Sequence, residues 1–213
     1  MLYTTLIFDL DGTLSDPALG VVRCINFALT SFDQPPRADH EIIRHIGPPL
    51  EQILALLSDD DGPAYISALA ARYRERYAEL GFRENTLYPE AKATLAALKS
   101  FGFRLGVCTS KLRPNAIKIL ELFDLARFFD FISGPSETET KSEQLKDLLQ
   151  SGTIDLDALM IGDRAIDLQA AHENRLESAG VLWGYGEREE LESEQPAFLF
   201  NSFSELLHAL TQC

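Results

Sequence analysis

Cationic side chains are scarce: 19 lysines and arginines stand against 33 aspartates and glutamates, a formal net charge of −14 over 213 residues. A surface so acidic repels the phosphate backbone, which makes a nucleic-acid polymer a poor partner. Cysteine is scarce too. Cys24, Cys108 and Cys213 form no CxxC pair and are odd in number, so no disulfide framework is expected. They read as reduced thiols of a cytoplasmic protein, with Cys108 in the core. No apolar run reaches the ~18–20 residues of a membrane span. The opening MLYTTLIFDL lacks a basic region followed by an apolar stretch and a cleavage site, so neither membrane insertion nor secretion is expected. No GxxxxGK[ST] loop, GxSxG elbow or HExxH pair occurs, and His40, His45, His172 and His208 do not stand at ligand spacing.

Apolar residues make up 46% of the chain, enough for one core with a modest insertion. Short apolar runs ending in polar residues read as buried strands at Leu6 to Leu10, Phe103 to Ser110 and Ala158 to Asp163. Further candidates are Phe128 to Gly134, a run near Val181 and one near Leu199. Helical spacing covers Glu90 to Ser100, Pro114 to Leu122, Ser142 to Gln150 and Ala165 to Asn174. This alternation predicts an α/β fold, a parallel sheet with helices on both faces. One interval departs from it. Residues 16–85 look helical throughout, with no strand before Tyr88, and are expected to form a helical cap inserted into a core of residues 1–15 and 86–213. An insertion there overlies the carboxyl ends of the strands, where open α/β sheets bind ligands; it reads as a lid or as an ordinary helical subdomain. The acidic run Ser58 to Gly62 reads as a solvated turn.

Asp9 and Asp11 straddle Leu10 at the end of the first strand. Two carboxylates so close need a cation, or one must hold a proton. Either state suits phosphoryl transfer: Asp9 ionised as nucleophile, Asp11 protonating the leaving oxygen. Gly12 lets the chain turn and brings N–H groups near a phosphate, and Thr13 beside it is assigned to substrate binding. Asp163 ends another strand, and Asp167 follows one helical turn later. With Asp9 and the Asp11 carbonyl, Asp163 would complete an oxygen-rich Mg²⁺ site, and Asp167 would orient metal-bound water. Thr109 offers a hydroxyl to phosphate, Ser110 and Lys111 follow it as substrate contacts, and Lys141 neutralises charge on the transferred group. Each position also has a plainer reading: turn-forming aspartates at 9 and 11, a helix N-cap at 163, a solvated lysine at 141.

The order Asp9-x-Asp11-Gly12-Thr13, a strand ending in Thr109, Lys141, then Gly162-Asp163-x-x-x-Asp167 resembles the motif set of the haloacid dehalogenase-like superfamily along nearly the whole chain. That resemblance implies a doubly wound parallel sheet with the Asp9 strand central, flanked by the strands of Asp163 and Thr109, and a Mg²⁺-dependent phosphatase acting on a small phosphorylated metabolite. His45 to Leu50, Tyr73-Arg74, Leu87-Tyr88-Pro89 and Gly180 to Gly186 look like the phosphoglycolate phosphatase-like branch, some of whose members are 5′-nucleotidases. The likeness implies that Gly47, Pro48 and Arg74 face the substrate; a surface charge is the plainer reading of Arg74.

Four positions depart from the pattern: Pro17, Glu90 and Arg175 where a small hydroxyl residue, glycine and glycine are usual, and Ser142 in place of a proline. Asn174 is expected to take over the left-handed turn that glycine would supply at 175. The rival readings are a phosphomutase of β-phosphoglucomutase type, a dehalogenase, or a non-enzymatic phospho-acceptor module. Phosphoglycolate, a nucleotide and a sugar phosphate stay open as substrates, as does the subunit number.

Overall fold

The computed structural model describes residues 2–136 and 139–212, so Cys213 lies outside the described residues. In chain order the elements are β1 (Thr5–Phe8), β2 (Ser15–Asp16), α1 (Ala18–Thr30), α2 (Asp39–Ile43), α3 (Leu50–Leu57), α4 (Pro63–Glu79), β3 (Thr86–Leu87), α5 (Ala91–Ser100), β4 (Arg104–Cys108), α6 (Arg113–Leu122), β5 (Phe131–Ser133), α7 (Lys141–Gln150), β6 (Ala158–Gly162), α8 (Ala165–Glu173), β7 (Glu177–Val181), α9 (Arg188–Ser193), β8 (Phe198–Phe200) and α10 (Phe203–Thr211).

Six strands form one parallel sheet in the order β5-β4-β1-β6-β7-β8. Strand β1 is buried along its length, which explains why its sequence is a continuous apolar run rather than an alternating one. Side chains still alternate between faces. Leu6 and Phe8 join the larger core, with Leu95, Leu105 and Leu206, whereas Ile7 joins a smaller one with Leu145, Met160 and Ala171. Phe8 lies opposite Val107 on one side and Ile161 on the other. Register therefore carries Asp9, Thr109 and Asp163 to one edge, each just beyond its strand. The central placing of the Asp9 strand is as the resemblance implied.

Between β2 and β3 the chain is helical, and α1 packs on α4, and α3 on α4, around Cys24, Ile25, Leu54, Leu69 and Tyr77. Two strands that the sequence reading missed lie at its neck. Ser15 pairs with Leu87 and Asp16 with Thr86 in an antiparallel ribbon. Two residues are too few to show a period, so no pattern announces them. The short α2 lies inside the span read as helical. Residues Ala126–Phe128 form a 3₁₀ turn, and the strand expected from Phe128 begins at Phe131.

The left-handed turn after α8 falls on Arg175, at φ +59°, and not on Asn174, which keeps φ −100°. The Asn174 amide is committed instead: Nδ2 donates to the carbonyls of Ser142 at 3.0 Å and Ala170 at 2.9 Å. Glu90 also sits at φ +67°. Both are positions where the resemblance led one to expect glycine. A side chain at positive φ costs ~1–2 kcal/mol, of which glycine's larger unfolded-state entropy offsets part. Arg175→Gly is therefore expected to stabilise the protein by up to ~1 kcal/mol, raising the thermal midpoint by about 2–4 °C; a lower midpoint in calorimetry would contradict strain at this turn.

Candidate active site

The turn after β1 closes on itself: Leu14 N donates to the Leu10 carbonyl at 2.9 Å and Gly12 N to the Ser15 carbonyl at 2.8 Å. Gly12 adopts φ +85°, and a Cβ there would fall 2.2 Å from an Asp163 carboxylate oxygen. Only glycine admits both the turn and this close approach. The turn thereby presses against the end of β6.

Three carboxylates converge at that point. Asp9, Asp163 and Asp167 each offer an oxygen, and all lie within 4.8 Å of one another. Asp163 and Asp167 are fully buried and Asp9 is 3% exposed. Asp163 is held from both sides, Thr13 Oγ1 donating to Oδ1 at 3.0 Å and Tyr185 N to Oδ2 at 2.9 Å. Arg164 N donates to Asp167 Oδ2 at 3.0 Å. Asp163 thus does not cap α8; the first-turn carboxylate of Asp167 satisfies the exposed N–H there. Lys141 Nζ lies between the groups, 3.0 Å from Asp9 Oδ1 and ion-paired with Asp167.

Burial, then the neighbouring charges of Asp167 and Asp9, push the Asp163 carboxyl well above the usual carboxylate range. Burial also raises Asp167, against the pull of Lys141, to about 6. Lys141 is held protonated by Asp167 and Asp9 despite its own burial. One ammonium does not neutralise three carboxylates, and Asp9 Oδ1 meets Lys141 as an ion pair without a well-aligned hydrogen bond. A compact, all-oxygen, net-negative set of this kind fits a hard divalent cation such as Mg²⁺. Asp11, expected to join the metal through its carbonyl, has its carboxylate outside the cluster, with Oδ2 2.7 Å from Lys111 Nζ. Burial raises the Asp11 carboxyl and Lys111 only partly opposes this.

Above the carboxylates lies a cavity of about 280 Å³, and Asp9 and Asp11 form its floor. Thr109, Ser110 and Lys111 line one wall, and Gly47, Pro48 and Arg74 line the other. The residues of the helical segment inferred from resemblance thus line the same space as the sheet-edge residues. Lys111 Nζ also meets Tyr77 of α4, donating to the Tyr77 oxygen at 2.9 Å and lying 4.6 Å from the ring centre. Arg74 is ion-paired with Glu51. Thr13 is not among the lining residues; its hydroxyl is spent on Asp163, so it positions a carboxylate where substrate contact was expected.

Several contributors were given no role by the sequence, although Trp183 to Gly186 lie in a segment that carries the resemblance. Gln144 Nε2 donates to the Thr109 carbonyl at 3.1 Å and fixes the end of β4. Trp183 Nε1 donates to the Thr13 carbonyl at 3.0 Å. The Gly184-Tyr185-Gly186 turn is wrapped about Asp163, since a Cβ at Gly184 would lie 2.3 Å from the Asp163 Cβ. Only its glycines hinted at close backbone approach.

The haloacid dehalogenase-like hydrolase model matches residues 6–181. A 5′-nucleotidase of Pseudomonas aeruginosa is 37% identical over 201 residues, spanning 91% of this chain and 89% of that protein. A phosphoglycolate phosphatase of Shigella boydii is 30% identical over 228 residues, with 95% and 90% covered. The crystal structure of a predicted phosphatase from Clostridium acetobutylicum superposes with a TM-score of 0.93 at 34% identity, covering 100% of each chain.

Because the folded state holds the Asp163 carboxyl above its unfolded value, metal-free stability falls as pH rises through and above the ordinary carboxylate range. Asp163→Asn is expected to remove part of that penalty, raising the metal-free midpoint at pH 7.5 by about 2–4 °C, equivalent to ~1 kcal/mol, and flattening its pH dependence. An unchanged or lower midpoint in EDTA would argue against like-charge crowding.

Proposed function

Because this chain belongs to the haloacid dehalogenase-like hydrolase family, we propose that it is a Mg²⁺-dependent phosphomonoesterase in which Asp9 is the nucleophile. The observation that carries this reading is that Asp9 belongs both to the buried acidic cluster and to the cavity floor. Asp9, Asp163 and Asp167 would hold the cation, which when bound supplies positive charge opposite the transferred phosphoryl oxygens.

The chain's own groups divide the remaining work. An Asp9 oxygen attacks phosphorus; the bond to the leaving-group oxygen breaks, and Asp11 delivers its proton to that oxygen. A water then attacks the aspartyl-phosphate, Asp11 takes its proton, and inorganic phosphate leaves Asp9 regenerated. The burial that raises the Asp11 carboxyl favours the protonated form required at the first step. Lys141 keeps Asp9 in place and balances its charge, while Thr109, Ser110 and Lys111 contact the phosphate. The helices of residues 16–85 act as a cap that excludes bulk water and reads the leaving group.

The cavity approaches the ~300–1,000 Å³ of small-molecule sites. Its walls include Ile46, Pro48, Ile53, Tyr73 and Leu112 beside Arg74. This favours a leaving group of nucleoside or sugar size over glycolate, in line with the similarity to a 5′-nucleotidase. No helix among the described residues is long and apolar enough to cross a membrane, and the buried, free Cys24 and Cys108 suit a reducing, cytoplasmic setting.

A phosphomonoester panel ranked by kcat/KM, with and without EDTA, tests the reading; activity that survives EDTA contradicts the metal requirement. Asp9→Asn should abolish turnover. Asp11→Asn should lower steady-state hydrolysis by ~10²–10⁴-fold. With p-nitrophenyl phosphate, whose leaving group needs no proton, the same variant should still release one equivalent of nitrophenolate in a burst. Full activity of Asp9→Asn would overturn the covalent route.

A further inference from the structure

Arg164 follows Asp163 directly, and its main-chain N–H is the one that donates to Asp167. Its side chain runs the other way. Nε donates at 2.8 Å to Glu190 Oε1, which also accepts the Ala165 N–H at 2.8 Å. Nη1 then reaches across to the carbonyls of Ile46 and, at 3.4 Å, Arg44. Those carbonyls belong to the turn between α2 and α3, on the far side of the cavity, and Arg44 is the C-cap of α2, where helix carbonyls lack intrahelical donors. Ile46, Gly47 and Pro48 of the same turn wall the cavity. The turn lies flat on the arginine stem: Gly47 has φ +131°, and a Cβ there would fall 2.7 Å from Arg164 Cγ. Glu190, fixed by the α8 amide, sets the direction of the guanidinium, which is mostly buried.

We infer that Arg164 is a positioning residue that latches the α2–α3 turn shut over the substrate cavity, with Glu190 aiming it. Resting on the phosphatase reading above, this makes one residue join cap closure to the metal carboxylates: its backbone serves Asp167 and its side chain holds the cap turn. Without the latch the closed, binding-competent form is a smaller fraction of the protein. Apparent affinity then falls by that fraction, whereas saturating substrate restores closure.

The test compares wild type, Arg164→Ala and Glu190→Gln as full-length chains. For p-nitrophenyl phosphate, Arg164→Ala is expected to raise KM by ~10–100-fold with kcat within about threefold, and Glu190→Gln to raise KM by less. The Mg²⁺-induced rise in thermal midpoint should be retained, since the Arg164 N–H remains. Independently of activity, trypsin should cut after Arg44, which is exposed, faster in Arg164→Ala in proportion to the open fraction, with the fragment identified by mass. Unchanged KM and unchanged cleavage in both variants, a fall in kcat alone, or loss of the Mg²⁺ response would each overturn the latch. Should Arg164→Ala not fold, Glu190→Gln decides by the same readouts. If the wild type hydrolyses no phosphomonoester, the assigned reaction fails, and cleavage after Arg44 still judges the latch.

Discussion

Three buried carboxylates around one ammonium set the terms for the rest of the molecule. Asp9, Asp163 and Asp167 are crowded within a few ångströms, with Lys141 the one cation paired with them among the described residues, an arrangement that folding disfavours unless a cation arrives. The surrounding structure is built to enforce it. Parallel register brings the ends of β1 and β6 level, Gly12 and Gly184 let backbone come against Asp163, and Thr13 and Tyr185 aim it. Such local instability is the usual companion of a site organised for chemistry rather than for stability.

The acidic surface and the site pull in opposite directions. A chain carrying −14 formal charges repels an anionic ester at long range, yet the cavity gathers Lys111, Arg74 and, beneath it, Lys141. Close charges outweigh distant ones because solvent screens beyond roughly 8–10 Å. Lys111 is shared between Asp11 and Tyr77, and the Arg164 guanidinium between Glu190 and the α2–α3 turn. On both sides of the cavity, then, a cation from the sheet edge also touches the helical segment.

Much of this was legible because it rests on short-range pattern. Buried parallel strands are apolar runs, and their polar ends name the sheet edge, so Asp9, Thr109 and Asp163 could be placed before any coordinates. What escaped depends on contacts distant in sequence. The Ser15–Asp16 and Thr86–Leu87 ribbon is too short to carry a period. Thr13 reads as a substrate contact until Asp163 is seen to take its hydroxyl. Asn174 reads as the left-handed residue until Ser142 is seen to hold its amide and Arg175 bears the turn. Arg164 is an unassigned position inside the Gly162-to-Asp167 motif, and the approach of residues 44–47 from over a hundred positions away gives it a task.

The most direct measurement is a crystal structure with Mn²⁺, recorded at a wavelength where manganese scatters anomalously. A single peak between Asp9 and Asp163, at about 2.0–2.2 Å from a carboxylate oxygen of each and with Asp167 beside it, is the predicted result. No peak at that position, or a cation bound only elsewhere on the acidic surface, would contradict the view that these carboxylates are held together to share one metal ion.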